Sequence, residues 1–536
     1  MAYLRRLIEE SKKIDDGPPA RYQLRLRRVN LDKESNEESK LRRFSHGVCD
    51  HSHLNKTILL VGATGAGKST LINALVNFVI GVKFEDRVWF EVVSDEKDRS
   101  QSESQTSAVS VYDVFGFEGN TVTYSLTIID TPGFGHTEGL EKDQMIIKFL
   151  QGLFCNSDGV DMINAVGLVM KASENRLDER TTYIFNSVTS LFGKDMEKNI
   201  VVLMTHYDGG KPKNALKALK DANILCATDR KHEPVYFRFN NRQNEKIEDK
   251  DEDDDEDDEE YAQNAFKTSN KGMKKFTVFL ATTNPQSLKT TVKVMKERIR
   301  LEACIQNLRE RVKETEMKEE AIKKNKEELS RFKDEMKKNQ NFRVDIEETY
   351  KEKEEINAWW DNKAVTCKTC EENCHYPGCT WAWNPNWCEV IKDKKCTSCS
   401  GKCPVEDHVK EKKRYVTKTR TVEKTFEEIK AKFEENKTKN EEKTTVLQGL
   451  EEEMSNLQQA KAQCLEEVFD LVEKLEKIAL NVDSVSTFVH LDFLIQKMKE
   501  KGETEKIHKL EEMRDRMSEK NKAAAKYSRS HEYVGM

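Results

Sequence analysis

From Lys56 the chain alternates short apolar runs with amphipathic helical stretches. Ile58–Val61, Leu126–Ile129, Ala165–Met170 and Ile200–Met204 are strand-like, and each is followed by a loop and a helical pattern. That alternation predicts a mainly parallel sheet with helices on both faces, so residues 55–285 read as one α/β domain. Residues 1–54 are polar and partly basic; RYQLRLRRVN is their only strand-like segment, and they read as an N-terminal extension. Near the far end of the domain lies an acidic run, Glu248 to Glu260. Like charges at this density repel and stay solvated, which predicts a disordered surface loop over 245–260.

After Ser287 the pattern changes to charged helix. Leu301, Ile305, Leu308, Val312, Ile322, Leu329 and Met336 fall on one heptad seam. A second seam, better formed, runs through Leu450, Met454, Leu457, Lys461, Cys464, Val468, Leu471, Leu475 and Ile478 at alternating steps of four and three. Such spacing is that of a coiled coil. Two arms, 286–362 and 411–481, are therefore predicted to fold back as an antiparallel helical hairpin. Each would span on the order of 100 Å if continuous. Residues 414–425 (RYVTKTRTVEKT) have poor helix character and could leave the start of the returning arm extended. Residues 482–536 contain a further amphipathic helix, STFVHLDFLIQKMKE.

Composition suits this division. Of 536 residues 35% are charged and 37% hydrophobic, with a formal net charge of -6, as for a globular part joined to long solvated helices. No apolar stretch of roughly 18 residues occurs, and MAYLRRLIEESKK lacks the apolar core of a secretory signal. A cytoplasmic location with reduced thiols is expected. A nucleic-acid partner is not expected, and no lipidation motif supports membrane association.

The candidate chemistry begins at Gly62-Ala63-Thr64-Gly65-Ala66-Gly67-Lys68-Ser69, followed by Thr70. It matches G-x-x-x-x-G-K-[ST] and sits between an apolar strand and an amphipathic helix, the context the motif requires. Glycines let the backbone N–H groups point at phosphate oxygens, Lys68 meets the terminal phosphates, and the Ser69 hydroxyl is placed to coordinate magnesium. Asp130-Thr131-Pro132-Gly133 ends the next strand: Asp130 can hold the magnesium through water, and the Gly133 amide can meet the γ-phosphate. Thr205-His206-Tyr207-Asp208 ends another, where Asp208 can accept from the N1 and N2 donors of guanine. The order and spacing of the three elements point to GTP or GDP with Mg2+.

The runs GATGAGKSTLINALVNFVIGV, SQTSAVSVY and YSLTIIDTPGFG resemble the septin-like branch of P-loop GTPases, nearest the immunity-associated GTPases of the avirulence-induced type and their animal relatives. The resemblance covers roughly 55–310. It implies that Thr106 is the switch I threonine, closing on magnesium and the γ-phosphate, and that Asn240 and Asn241 belong to the base-side loop. Two departures stand out. His206 replaces the lysine of many guanine motifs, and Phe134 stands where Ras-like proteins place the glutamine that orients the attacking water. Intrinsic hydrolysis should then be slow. In relatives two G domains meet across the nucleotides, which makes Arg176, in Glu174–Glu179, the first candidate arginine finger and His136 the second.

Eight of the 13 cysteines crowd between Cys367 and Cys403. Cys367, Cys370, Cys374 and Cys379 are each followed, 29 positions on, by Cys396, Cys399, Cys403 and His408. Two consecutive sets of four fit two structural, tetrahedral Zn2+ sites in a module over 363–410. His375 and Cys388 are left over and could replace a ligand. The predicted architecture is thus an α/β P-loop G domain followed by a long antiparallel coiled coil with a zinc-binding insert at its tip. The function expected is a slow GTPase whose G-domain pairing controls oligomerisation, with self-association through G domains and coiled coil and a further protein partner on the arm. The alternative is a scaffold in which GTP is bound and hardly hydrolysed.

Overall fold

The computed structural model describes residues 2–29, 41–49, 54–93, 109–115, 121–133, 146, 149–150, 152–154, 159–243, 255–331, 343–357, 363–377, 384–425, 428, 446–480 and 485–516. These divide into two compact units. One comprises 1–295, 478–489 and 515–536; the other comprises 296–477 and 490–514.

The first unit is built on an eight-stranded sheet. Its order is Tyr236–Arg238, Ile200–Thr205, Ala165–Lys171, Asn55–Val61, Ser125–Asp130, Val109–Val114, Leu41–His46 and Arg27–Val29. The first five strands are parallel; Val109–Val114 runs antiparallel to Ser125–Asp130. Because side chains alternate across a strand, Leu59 and Val61 enter one core with Val166, Leu168, Val202 and Met204. Ile58 and Leu60 enter the opposite core with Ile128, Val169, Val201 and Leu203. Both faces are covered, which explains why these strands read as unbroken apolar runs. Gly167 lies between two neighbours: a Cβ there would stand 2.5 Å from Leu203 Cδ1 and 2.9 Å from Leu60 Cδ2.

The N-terminal segment is not an appendage. Ala2–Glu10 is helical, and Ala20–Gln23 pairs in parallel with Val88–Glu91. Leu41–His46 extends the main sheet beside Val109–Val114, and Leu7 and Leu24 are buried in the core. Arg21 pairs with Glu91 at 2.7 Å and Arg43 with Asp113 at 2.6 Å. These two arginines thus meet buried acids far away in sequence, a pairing that local pattern cannot reveal. The expected acidic loop over 245–260 is also shorter. From Asp255 the chain is helical to Thr282, and acidic residues in a first helical turn are favoured by the helix dipole. The remainder of the loop lies outside the described residues.

The predicted helical arm 286–362 is helical over Lys289–Arg331 among the described residues. Arg343–Glu355 and Lys413–Thr425 instead form a two-stranded antiparallel ribbon of 13 paired residues. Its second strand is rich in Thr, Val and Tyr, which favour strands. Opposite charges face each other across it, as in Arg343–Glu423 at 2.9 Å, Lys413–Glu355 at 3.3 Å and the pair Lys424–Glu348. The returning arm, predicted over 411–481, begins as the ribbon strand Lys413–Thr425, and its long helix among the described residues runs from Val446 to Ile478.

The two helices run antiparallel: Glu297 pairs with Lys474 at 3.2 Å, Arg311 reaches Cys464 at 2.6 Å, and Lys326 pairs with Glu451 at 2.7 Å. Leu301, Ile305, Leu308, Val312, Ile322 and Leu329 of the first seam are buried, as are Cys464, Val468 and Leu475 of the second. The helices Val485–Lys501 and Thr504–Arg516 follow. Their buried Leu494, Met498 and Leu510 and the ion pair Lys497–Glu316 at 3.3 Å make this part a helical bundle rather than a free two-helix coil.

The cysteine-rich segment lies between the two ribbon strands, at the Glu355–Lys413 end. It packs along Arg300–Arg311 of the long helix, not at a distant tip. Arg300 Nε donates to the Glu389 carbonyl at 2.7 Å and Asn307 Nδ2 to Glu372 at 3.1 Å. The ribbon, by reversing the chain alongside the helix, brings the module back to its base.

Candidate nucleotide site and metal centre

Val61 ends a buried strand, and the chain turns through Gly62–Gly67 into the helix Lys68–Ile80. Gly65 and Gly67 adopt φ of +75° and +86°, values that cost a side-chain-bearing residue dearly. Gly62 is required for another reason: a Cβ would stand 2.4 Å from the Val169 carbonyl oxygen. At the helix start Gly67 is the N-cap and no side chain caps it. The first N–H groups of the helix are thus left to an external acceptor, and with the helix dipole they suit an anion.

Lys68 is buried, and its Nζ donates to the Gly62 and Ala63 carbonyls at 2.9 and 3.3 Å. Burial lowers its pKa from 10.5 to about 8, against the opposing pull of the Asp130 charge. Asp130 is fully buried at the end of its strand, and Thr131 Oγ1 donates to the Leu60 carbonyl at 2.9 Å, tying this strand end to the one that feeds the loop. Gly133 then passes so close that a Cβ would stand 2.4 Å from Thr64 Oγ1 and 2.8 Å from Thr64 Cα.

The Thr205–Asp208 loop closes the other side. Thr205 Oγ1 donates to the Ala66 carbonyl at 2.7 Å, and a Cβ on Gly67 would meet His206 Cε1 at 3.5 Å. His206 takes φ of +50° and is exposed; partial desolvation, with Lys171 and Arg242 nearby, lowers its imidazole pKa. Asp208 is exposed. Tyr207 N donates to the Phe239 carbonyl at 3.0 Å, which brings Asn240 and Asn241 alongside. The structure therefore gathers Gly62–Thr70, Asp130–Gly133, Thr205–Asp208 and Asn240–Asn241 at one end of the parallel strands. Arg176 is exposed, beside Asp178, whose carboxylate caps the following helix by accepting from Thr181 N at 2.7 Å. Thr106, Phe134 and His136 lie outside the described residues.

Sequence reasoning missed several supports. Asn73 and Asn77, one helical turn apart, are buried and reach across to the strand Val88–Glu91 and the residues after it. Asn73 Oδ1 accepts from Val92 N and Val93 N at 2.9 and 3.0 Å, and Asn77 Oδ1 accepts from Phe90 N at 2.9 Å. Two asparagines at i and i+4 on an otherwise apolar helix were the available signal. Ser269 holds the base-side loop through Asn240 N and Asn241 Oδ1, both at 2.9 Å. It comes from a helix nearly thirty residues on, and nothing local marks it.

Residues 56–255 match the model of the AIG1 family. Residues 56–255 therefore form an AIG1-type GTPase domain. No curated protein matches the chain. Among solved structures, the chain is similar to Toc33 from Arabidopsis thaliana in complex with Mg2+ and GMPPNP, at 16% identity and a TM-score of 0.29 over 44% of this chain and 88% of that one. It is also similar to the Toc33 complex with GDP and Mg2+, at 18% identity and a TM-score of 0.27 over 42% and 86%. Likeness at that level carries no functional information. Among the described residues of the AIG1-type domain and the rest of the chain, no helix is long and apolar enough to cross a membrane.

The cysteines assemble differently from the two consecutive sets expected. One group is Cys367, Cys370, Cys399 and Cys403; a second is Cys374, Cys396, Cys399 and His408, with all ligand atoms of a group within 4.8 Å of one another. Each group mixes the two halves of the repeat. The three-stranded sheet of Ala364–Cys367, Glu372–His375 and His408–Glu411 places Cys367 opposite His408, which interleaves the halves. Cys379 lies outside the described residues. The spare residues His375 and Cys388 face each other at 3.0 Å, with Glu389 beside them. Backbone amides converge on the sulfurs: Cys370 N on Cys367, Gly401 N on Cys370, and Ser398 N and Cys399 N on Cys396, all at 3.3 to 3.4 Å. Soft sulfur and imidazole donors in fours, buried and ringed by amide dipoles, fit zinc.

Proposed function

We propose that this chain is a guanine-nucleotide switch that binds GTP or GDP with magnesium in its AIG1-type domain. The observation that carries the reading is the uncapped helix start at Gly67, with buried Lys68 and Asp130 on one side and the Thr205–Asp208 loop on the other. Backbone amides of Gly62–Thr70 would cradle the phosphates, Ser69 and Thr106 would hold the metal directly and Asp130 through water, and Gly133 would meet the terminal phosphate. Bound magnesium supplies charge neutralisation at the phosphates. Asp208 would read guanine, with Thr205, His206, Asn240 and Asn241 lining the base side.

The reaction we assign is slow hydrolysis of the γ-phosphate, with Lys68 and Thr106 stabilising charge on the transferring group. Pairing of two G domains would supply Arg176, or else His136, to complete the site and would control oligomerisation. The cysteine-rich module would hold zinc and stiffen an antiparallel interaction arm for a protein partner. Phosphate release measured against protein concentration tests this. Turnover per molecule that rises with concentration, and falls in Arg176→Ala, supports pairing. Bound GTP that persists at every concentration supports the scaffold reading instead. Elemental analysis finding no zinc removes the metal module.

A further inference from the structure

The two sulfur-rich groups are not independent, because both contain Cys399. Two separate tetrahedra need eight ligands, and the described residues of the two groups supply seven: six cysteines and His408. His375 and Cys388 stand 3.0 Å apart in a third group with Glu389. The edges of the two groups suit metal. Cys370 and Cys403 sulfurs stand 3.5 Å apart and Cys399 Sγ stands 3.8 Å from His408 Nε2, against about 3.8 Å for a tetrahedron with 2.3 Å metal–sulfur bonds. Gly401 makes the crowding possible: a Cβ there would stand 2.9 Å from the Cys403 sulfur and 3.0 Å from that of Cys370.

We propose that the module is a binuclear centre in which the Cys399 thiolate bridges two divalent ions of the zinc class. Cys367, Cys370 and Cys403 complete one tetrahedron; Cys374, Cys396 and His408 complete the other. Charge favours sharing. Six thiolates and a neutral imidazole around two divalent ions leave a net charge of about −2, one less negative than with a seventh thiolate. The Cys403 amide donates to Cys399 at 3.4 Å, so the bridging sulfur keeps a backbone donor of its own.

The inference rests on the zinc-module reading and is tested apart from it on the full chain loaded with the NMR-active isotope of cadmium. A shared thiolate gives two cadmium resonances split by scalar coupling to each other. In Cys379→Ser both ions and the coupling are retained; in Cys399→Ser the coupling disappears. Two uncoupled resonances in the unmodified protein overturn the proposal, as does loss of one ion in Cys379→Ser, which makes Cys379 the eighth ligand. If Cys399→Ser does not fold, the unmodified protein and Cys379→Ser still decide. Failure to take up any ion would instead sink the metal module itself.

Discussion

Lys68 gives the nucleotide site a proton linkage that can be measured. Without nucleotide its ammonium is buried and its pKa stands at about 8. Phosphate oxygens beside it restore a value at or above the ordinary 10.5, because opposite charge favours the protonated form. Binding above pH 8 therefore takes up a proton, and apparent affinity weakens by a factor of 1 + 10^(pH − 8). That is roughly twofold at pH 8 and about tenfold at pH 9, or about 1.4 kcal/mol. The terminal phosphate, with a pKa of about 6, contributes nothing in that range.

The same depression acts on stability with a definite sign. Between about pH 8 and 10.5 the unfolded chain binds more protons at this lysine than the folded one, so the nucleotide-free domain gains stability as pH rises through that window. Isothermal calorimetry at about pH 8.5 in two buffers of different ionisation enthalpy reads the uptake directly, with about 0.8 proton expected from the titration. No proton exchange, together with an affinity flat between about pH 7 and 9, would refute the reasoning.

Three further outcomes are expected. Gly133→Ala places a methyl against Thr64 backbone and side chain, so it should force the two phosphate-side loops apart; thermal melts should show a loss of about 1–3 kcal/mol and nucleotide affinity should fall. Asn73→Ala removes the acceptor for Val92 N and Val93 N and leaves buried amides unmet, at a cost of about 1–3 kcal/mol readable by chemical denaturation, with faster hydrogen exchange after Glu91. Chelation at neutral pH should raise hydrogen exchange across 363–411 and leave the central sheet protected, because metal binding and folding of such a module are coupled; unchanged exchange in the module would refute its dependence on metal.

The central sheet was legible because each strand is buried on two faces and so appears as an apolar run closed by a glycine-rich or acidic turn. The three nucleotide motifs were legible for the same reason: each is a strand end, and parallel strands deliver their ends to one edge. The N-terminal strands were not, since Arg21 and Arg43 look like solvated cations until Glu91 and Asp113 are placed opposite them. The ribbon was half legible. Residues 414–425 read as extended, but Arg343–Glu355 (RVDIEETYKEKEE) is so charged that its period of two, at Val344 and Ile346, was hidden in a helical context. The cysteine repeat singled out residues that the structure draws together, but not the way in which it groups them. A Cys-x-x-Cys pair brings only two ligands, and the fold, by pairing Cys367 with His408 across a sheet, decides which other pair completes it.

The most direct test of the account is calorimetric titration of the nucleotide-free full chain with GTP and with ATP in the presence of magnesium, repeated on Asp208→Asn. Tight one-to-one uptake of GTP, at least tenfold weaker uptake of ATP, and a collapse of that preference in the variant are predicted. Equal affinity for the two purines, or uptake of neither, would contradict it.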